Sequence, residues 1–215
     1  WAENHYRGRK GNMKKVLCFG DSNTYGFIPS SGGRYGKDVR WTGVLQKILG
    51  AEYKIIEEGC NNRTCFSQNP DGKVFTGIKI LPELLAADLD FVILSVGIND
   101  LQFQYDRDLA DFSAGIGALI ELVKSKSPSA KIILTAPSVI SKNILKSFFA
   151  AMFDSESIEK SLKLPEIYEK CAKEKGCIFL DLNKIVKTSD VDGLHYEAEE
   201  HGKIAKALAQ LLLNP

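Results

Sequence analysis

The stretch DFVILSVG, Asp90 to Gly97, decides the fold. It is apolar almost without interruption, so neither face is written for water. A strand of that kind belongs inside a parallel sheet, covered by helices on both sides. Working outward, four more short apolar runs read the same way: Val16–Phe19, Tyr53–Ile56, Lys131–Pro137 (KIILTAP) and 177–182 (CIFLDL). Apolar residues at helical spacing separate them, over 39–49 (closed by Gly50), 77–87, 109–126, 157–175 and 197–213. Strands alternating with helices predict an α/β sandwich around a mostly parallel sheet. Residues 138–156 stay ambiguous, because NILKSFFAAMF fits either a helix or a movable lid.

The length of 215 residues suits one domain, placed at 13–215. The first residues, WAENHYRGRKGNMKK, lack the apolar core of a signal peptide. Residues 1–12 read as vector-derived sequence ahead of a natural start at Met13, which sets His5 aside. A net charge of +1 gives no electrostatic case for nucleic acid or an anionic membrane. No apolar run approaches the roughly 20 residues of a membrane span. The five cysteines are odd in number and form no CxxC pair, so reduced thiols in a cytoplasmic protein are expected. Cys60 and Cys65 have no clustered partners for a metal, and no phosphate-cradling glycine motif occurs, so no metal or cofactor is expected.

In parallel sheets, ligands bind beyond the carboxyl ends of the strands. Four polar loops fall there: Gly20-Asp21-Ser22-Asn23, Gly59-Cys60-Asn61-Asn62-Arg63-Thr64, Gly97-Ile98-Asn99-Asp100, and Asp192-Gly193-Leu194-His195. The chemistry open to such a set is acyl transfer. A serine hydroxyl needs an adjacent base to act as a nucleophile, and histidine has the suitable pKa. Of the three histidines, His5 lies in the vector-derived stretch and His201 inside the last helix, where it is expected at the surface. His195 is left as the base for Ser22. Asp192, three residues earlier, can reach its near ring nitrogen in a tight turn, with Asp190 and Asp181 as competitors. Donors for an oxyanion would come from the Ser22 N–H, the Asn99 side chain and a backbone N–H of the Asn61–Asn62 loop. Alone, each of these residues also fits an ordinary turn; their conjunction on one edge is the argument.

These blocks resemble those of the SGNH hydrolases, the GDSL-type esterases and lipases. The matching residues are Gly20-Asp21-Ser22-Asn23-Thr24, Gly97-Ile98-Asn99-Asp100 and Asp192-Gly193-Leu194-His195, and together the blocks span residues 16 to about 200. The resemblance implies a flavodoxin-like three-layer α/β/α sandwich with a five-stranded parallel sheet. It implies Ser22 as nucleophile, His195 as base, Asp192 as orienting acid, and Ser22, Asn62 and Asn99 as the oxyanion hole, without a cofactor. Asn62 departs from the glycine usual at that position, and Gly59 is an alternative donor. Asp38-Val39-Arg40-Trp41-Thr42-Gly43-Val44-Leu45, Glu57-Glu58-Gly59, Arg63-Thr64 and Asp192–Tyr196 are similar to the arylesterase and acyltransferase branch.

The expected activity is hydrolysis of small acyl esters, with possible transfer to alcohols. Carbohydrate O-acetyl esters and lysophospholipids are alternative substrates, and a non-catalytic flavodoxin-like binding module is the rival from outside enzymology. Asp21, Asn61, Arg63 and Phe27 are expected to contact substrate, although Asp21 also suits a turn brace and Arg63 a loop brace. The cluster Phe148, Phe149, Met152 and Phe153 fits an acyl groove, helix core or a subunit contact. The expected partner is a small-molecule ester; a homo-oligomer is left open.

Overall fold

The computed structural model describes residues 13–214; the reading of residues 1–12, His5 included, falls outside them. Five strands form one sheet: β1 (Lys14–Gly20), β2 (Tyr53–Gly59), β3 (Phe91–Ser95), β4 (Lys131–Ala136) and β5 (Ile178–Asp181). All neighbours are parallel, in the order β2-β1-β3-β4-β5. The DFVILSVG run supplies the middle strand, with Leu94 in register with Phe19 on one side and Leu134 on the other.

Its uninterrupted apolarity has a simple cause. Successive side chains point to opposite faces of a sheet, and here each face has its own core. Leu17, Phe19, Val92, Leu94, Ile132 and Leu134 meet α3 (Gly77–Leu84), α4 (Leu109–Lys126) and α6 (Leu164–Lys175). Val16, Cys18, Phe91, Ile93 and Ile133 meet α2 (Trp41–Leu49) and α7 (Ala198–Leu213). The result is the three-layer α/β/α sandwich. Trp41, at the start of α2, is buried in the second core.

Some boundaries differ from the sequence reading. The helix expected over 77–87 stops at Leu84, where the chain turns extended at Leu85. The helix expected over 157–175 is two, α5 (Ser155–Ser161) and α6, divided where Pro165 opens α6. The ambiguous stretch before them forms two 3-10 turns, Lys142–Lys146 and Phe148–Ala151. Each is capped by a serine, Ser141 or Ser147, whose hydroxyl accepts a backbone N–H.

His201 corrects an expectation: it is fully buried, not at the surface. It lies on the same stripe of α7 as Ile204, Ala205, Leu208 and Leu212, at the i, i+3, i+4, i+7 and i+11 spacing that faces the core. Its ring packs between Tyr35 and Tyr196, and its Nδ1 accepts the Trp41 N–H at 3.3 Å. Among the described residues, no helix is long and apolar enough to cross a membrane.

Candidate active site

The strand order changes direction between β1 and β3, which leaves a crevice at their carboxyl ends. β1 delivers Ser22 to it, and β3 delivers Asn99. Ser22 opens α1 (Ser22–Tyr25), a single helical turn capped by Asp21, whose carboxylate accepts the Asn23 N–H at 2.9 Å. Beyond β3, the chain turns at Gly97 with φ of +131°, and a Cβ there would stand 1.9 Å from the Tyr168 hydroxyl. Only glycine fits, and the tight turn swings Asn99 back over the sheet edge.

The loop before α7 brings the third component. Gly193 has φ of +72°, and its Cα faces the backbone of Ile144 so closely that a Cβ would lie 2.6 Å from the Ile144 N. Around this turn Asp192 Oδ1 accepts the N–H groups of Leu194 and His195, each at 2.9 Å. Asp192 Oδ2 lies 2.7 Å from His195 Nδ1, and His195 Nε2 lies 2.9 Å from Ser22 Oγ. All three residues are buried. Asn23, beside Ser22, donates from Nδ2 to the Leu194 carbonyl at 3.2 Å and ties the first loop to the last.

Charge fixes the direction of the chain of hydrogen bonds. Burial pushes the Asp192 carboxyl up, but the His195 hydrogen bond and charge, with the two amides, outweigh it and hold the group below the usual carboxylate range. An ionised Asp192 can only accept, so His195 Nδ1 carries the proton and Nε2 presents a lone pair. The Ser22 hydroxyl therefore donates to Nε2, an arrangement able to take the serine proton as the oxygen attacks. Phe27 lies against the imidazole at 4.1 Å between ring centroids, tilted by 30°.

Beside the Ser22 hydroxyl is a pocket of about 190 Å³. Its apolar wall is Phe27, Phe149, Met152, Phe153 and Leu194; its polar rim is Asn61, Asn62, Asn99, Ser22 and His195. Asn62 has φ of +60°, the left-handed region, which is why glycine suits this position and asparagine tolerates it. Among the described residues neither the Ser22 N–H nor the Asn62 N–H has an acceptor. Asn99 spends one Nδ2 hydrogen on the Arg63 carbonyl at 3.0 Å and retains a second.

Several sequence expectations are rearranged. Asn61 and Phe27 do line the pocket, but Asp21 and Arg63 do not. Asp21 is buried beneath the serine turn. Burial foremost pushes its carboxyl up to about 7, against the opposing Asn23 N–H and the Arg63 charge. Arg63 is buried too: its Nε donates to the Val74 carbonyl at 3.0 Å and its Nη1 to those of Gly20, at 3.1 Å, and Glu58. These three bonds brace the loop. Asp190 meets Asn143 at the surface, and Asp181 caps the turn after β5 through the Asn183 N–H, so neither reaches His195. Gly59 ends the β2 ladder opposite Gly20, off the pocket wall.

Sequence reasoning gave Asp100 no role of its own and left the Phe149, Met152 and Phe153 cluster between an acyl groove, helix core and a subunit contact. Asp100, fully buried, accepts the N–H groups of Cys65, Phe66 and Ser67 at 2.5, 3.1 and 2.7 Å, and so shapes the loop that carries Asn62. Its signal was only its place beside Asn99. Phe149, Met152 and Phe153 form the pocket wall, a role their spacing could not separate from ordinary core.

A five-stranded parallel sheet in this order, with serine, asparagine and histidine loops at one edge, defines the SGNH class of hydrolases. The GDSL-like lipase/acylhydrolase family model matches residues 18–202, and the chain belongs to that family. Solved structures agree across nearly the whole chain. The inhibitor-bound aryl esterase of M. smegmatis is 29% identical with a TM-score of 0.87, covering 94% of this chain and 99% of its own. A carbohydrate acetylesterase from Sinorhizobium meliloti is 32% identical with a TM-score of 0.87, over the same shares. No curated protein sequence matches.

Proposed function

We propose that this chain is a serine esterase that cleaves small, short-chain acyl esters through an acyl-enzyme. Ser22 Oγ attacks the ester carbonyl while His195 Nε2 takes its proton, and Asp192 steadies the imidazolium. The developing oxyanion meets the Ser22 N–H, the Asn62 N–H and the free N–H of Asn99. His195 then hands its proton to the departing alkoxide. Water, activated by the same nitrogen, releases the acid. An alcohol seated in place of that water would instead receive the acyl group.

The observation that carries this reading is the 2.9 Å contact between Ser22 and a carboxylate-backed imidazole at the edge of an apolar pocket. At about 190 Å³, that pocket is smaller than the roughly 300–1,000 Å³ of drug-sized ligand sites. It favours a short acyl group over the long chain of a lysophospholipid. A second reading, O-deacetylation of a carbohydrate, draws on the 32% identity to a carbohydrate acetylesterase.

The test is hydrolysis of p-nitrophenyl acetate by wild type and Ser22→Ala, followed by acetylated sugars under the same conditions. We expect Ser22→Ala to lose activity by roughly 10⁶-fold, to background. Full activity in that variant would end the assignment. A higher kcat/KM on sugar acetates than on aryl acetates would select the second reading.

A further inference from the structure

Behind the pocket a line of side-chain amides joins the two loops that supply the oxyanion donors. Gln102, buried just beyond the 3-10 turn Ile98–Leu101, donates from Nε2 to Asn62 Oδ1 at 2.8 Å and to Asn99 Oδ1 at 3.1 Å. Both of its Nε2 hydrogens are thereby used. Its own Oε1 accepts from Gln104 Nε2 at 3.0 Å. Asn62 Nδ2 continues outward to Asp71 Oδ2 at 3.3 Å.

The direction of every one of these bonds is forced from both ends. The Arg63 carbonyl can only accept, so Asn99 must turn its Nδ2 toward it and its Oδ1 toward Gln102. Gln102 must then present nitrogen, which turns Asn62 Oδ1 inward and Asn62 Nδ2 outward. At that far end stands the Asp71 carboxylate, again an acceptor. No amide in the line can flip without setting two oxygens against each other.

From this geometry we propose that Gln102 is a positioning residue for catalysis. It holds the Asn99 amide with one N–H toward the pocket and, through the Asn62 side chain, holds the left-handed turn whose backbone N–H is the other donor. The proposal rests on the esterase reading above. It also gives the asparagine at position 62 a purpose: glycine would adopt the same φ but could not be tied to Asn99.

Gln102→Met keeps the length of the side chain and removes both donors. We expect kcat to fall by about 10-fold or more with KM within about 2-fold, because only the placement of groups meeting the transition state is disturbed. In an Asn99→Ala background the same substitution should cost less than about 3-fold, since half of what Gln102 positions is already gone. Gln102→Glu supplies an independent readout that does not depend on the methionine variant folding. Its carboxylate would face two oxygens, while its protonated form can donate to one. Its activity relative to wild type should therefore rise as pH is lowered from about 8 toward about 5. An unchanged kcat in Gln102→Met, an equal loss in both backgrounds, or a flat glutamate-to-wild-type ratio would overturn the proposal. Those outcomes are distinct from failure of the esterase reading, which appears as wild-type activity that survives Ser22→Ala.

Discussion

Asp192 does two jobs with two oxygens. Oδ1 closes the Asp192–His195 turn through two backbone N–H groups, while Oδ2 alone faces the imidazole. Asparagine can keep the first job, because its carbonyl oxygen still accepts both amides. It cannot keep the second, since its Nδ2 would set a donor against the Nδ1 proton. The ring would move that proton to Nε2 and aim it at Ser22. For Asp192→Asn we therefore expect a folded protein, with its circular dichroism unchanged, and kcat reduced by roughly 10⁴-fold. A loss below about 10-fold would mean that the carboxylate does not orient the base. At this scale the site was largely readable, because Ser22, Asn99, Asp192 and His195 carry their chemistry in residue type and spacing. Asp21 and Arg63 read two ways, as substrate contacts or as braces of the turn and the loop. Their partners are backbone groups, the N–H of Asn23 and the carbonyls of Gly20, Glu58 and Val74, and for Arg63 these lie in segments that only the fold brings together.

Elements differ in how far local sequence determines them. β3 was plain from its run of apolar residues, and α7 from its stripe; that same stripe, followed strictly, places His201 inside. The segment 138–156 was not plain because its turns are fixed by single serine caps and by long-range bonds, such as the Phe103 N–H to the Met152 carbonyl at 3.0 Å. That segment supplies the Phe149, Met152 and Phe153 wall of the pocket. Phe149 sits 5.0 Å from the His195 ring and 6.0 Å from Phe27, between centroids, so truncating it opens the pocket beside the reacting atoms. Each added methylene that finds apolar contact is worth about 0.8 kcal/mol, so two make roughly a tenfold change. In Phe149→Ala we expect the kcat/KM ratio of p-nitrophenyl butyrate to acetate to rise by about 10-fold. An unchanged ratio across a panel of acyl lengths would place the acyl group elsewhere.

Across the whole molecule, two buried titratable groups oppose each other in their effect on stability. His201 is held neutral, lowered to about 4 from 6.5, chiefly by burial and then by the charge of His195. Below pH 6.5 the unfolded chain takes a proton there that the folded chain refuses. Stability from this group is complete above pH 6.5 and is lost as pH falls toward about 4, by roughly 3 kcal/mol. Asp21 runs the other way. Its carboxyl, pushed up to about 7 from 3.8, holds a proton in the folded state over a range where the unfolded state has released it. Its contribution is present below pH 3.8 and is lost as pH rises toward about 7, by roughly 4 kcal/mol. Asp100, also raised by burial, adds to the Asp21 slope. Asp192, lowered, contributes stability that is complete above pH 3.8 and is lost only under stronger acid. Between about pH 4 and 6.5 the wild-type curve should thus be flatter than either group alone would make it. Variants separate the two: His201→Gln keeps an acceptor for the Trp41 N–H, and Asp21→Asn keeps one for the Asn23 N–H. In urea melts, the stability of wild type minus that of His201→Gln should decrease by roughly 3 kcal/mol from about pH 7 to about pH 4. Wild type minus Asp21→Asn should increase over the same interval. Parallel curves for wild type and His201→Gln would show that the buried imidazole is not excluded from charging by the fold.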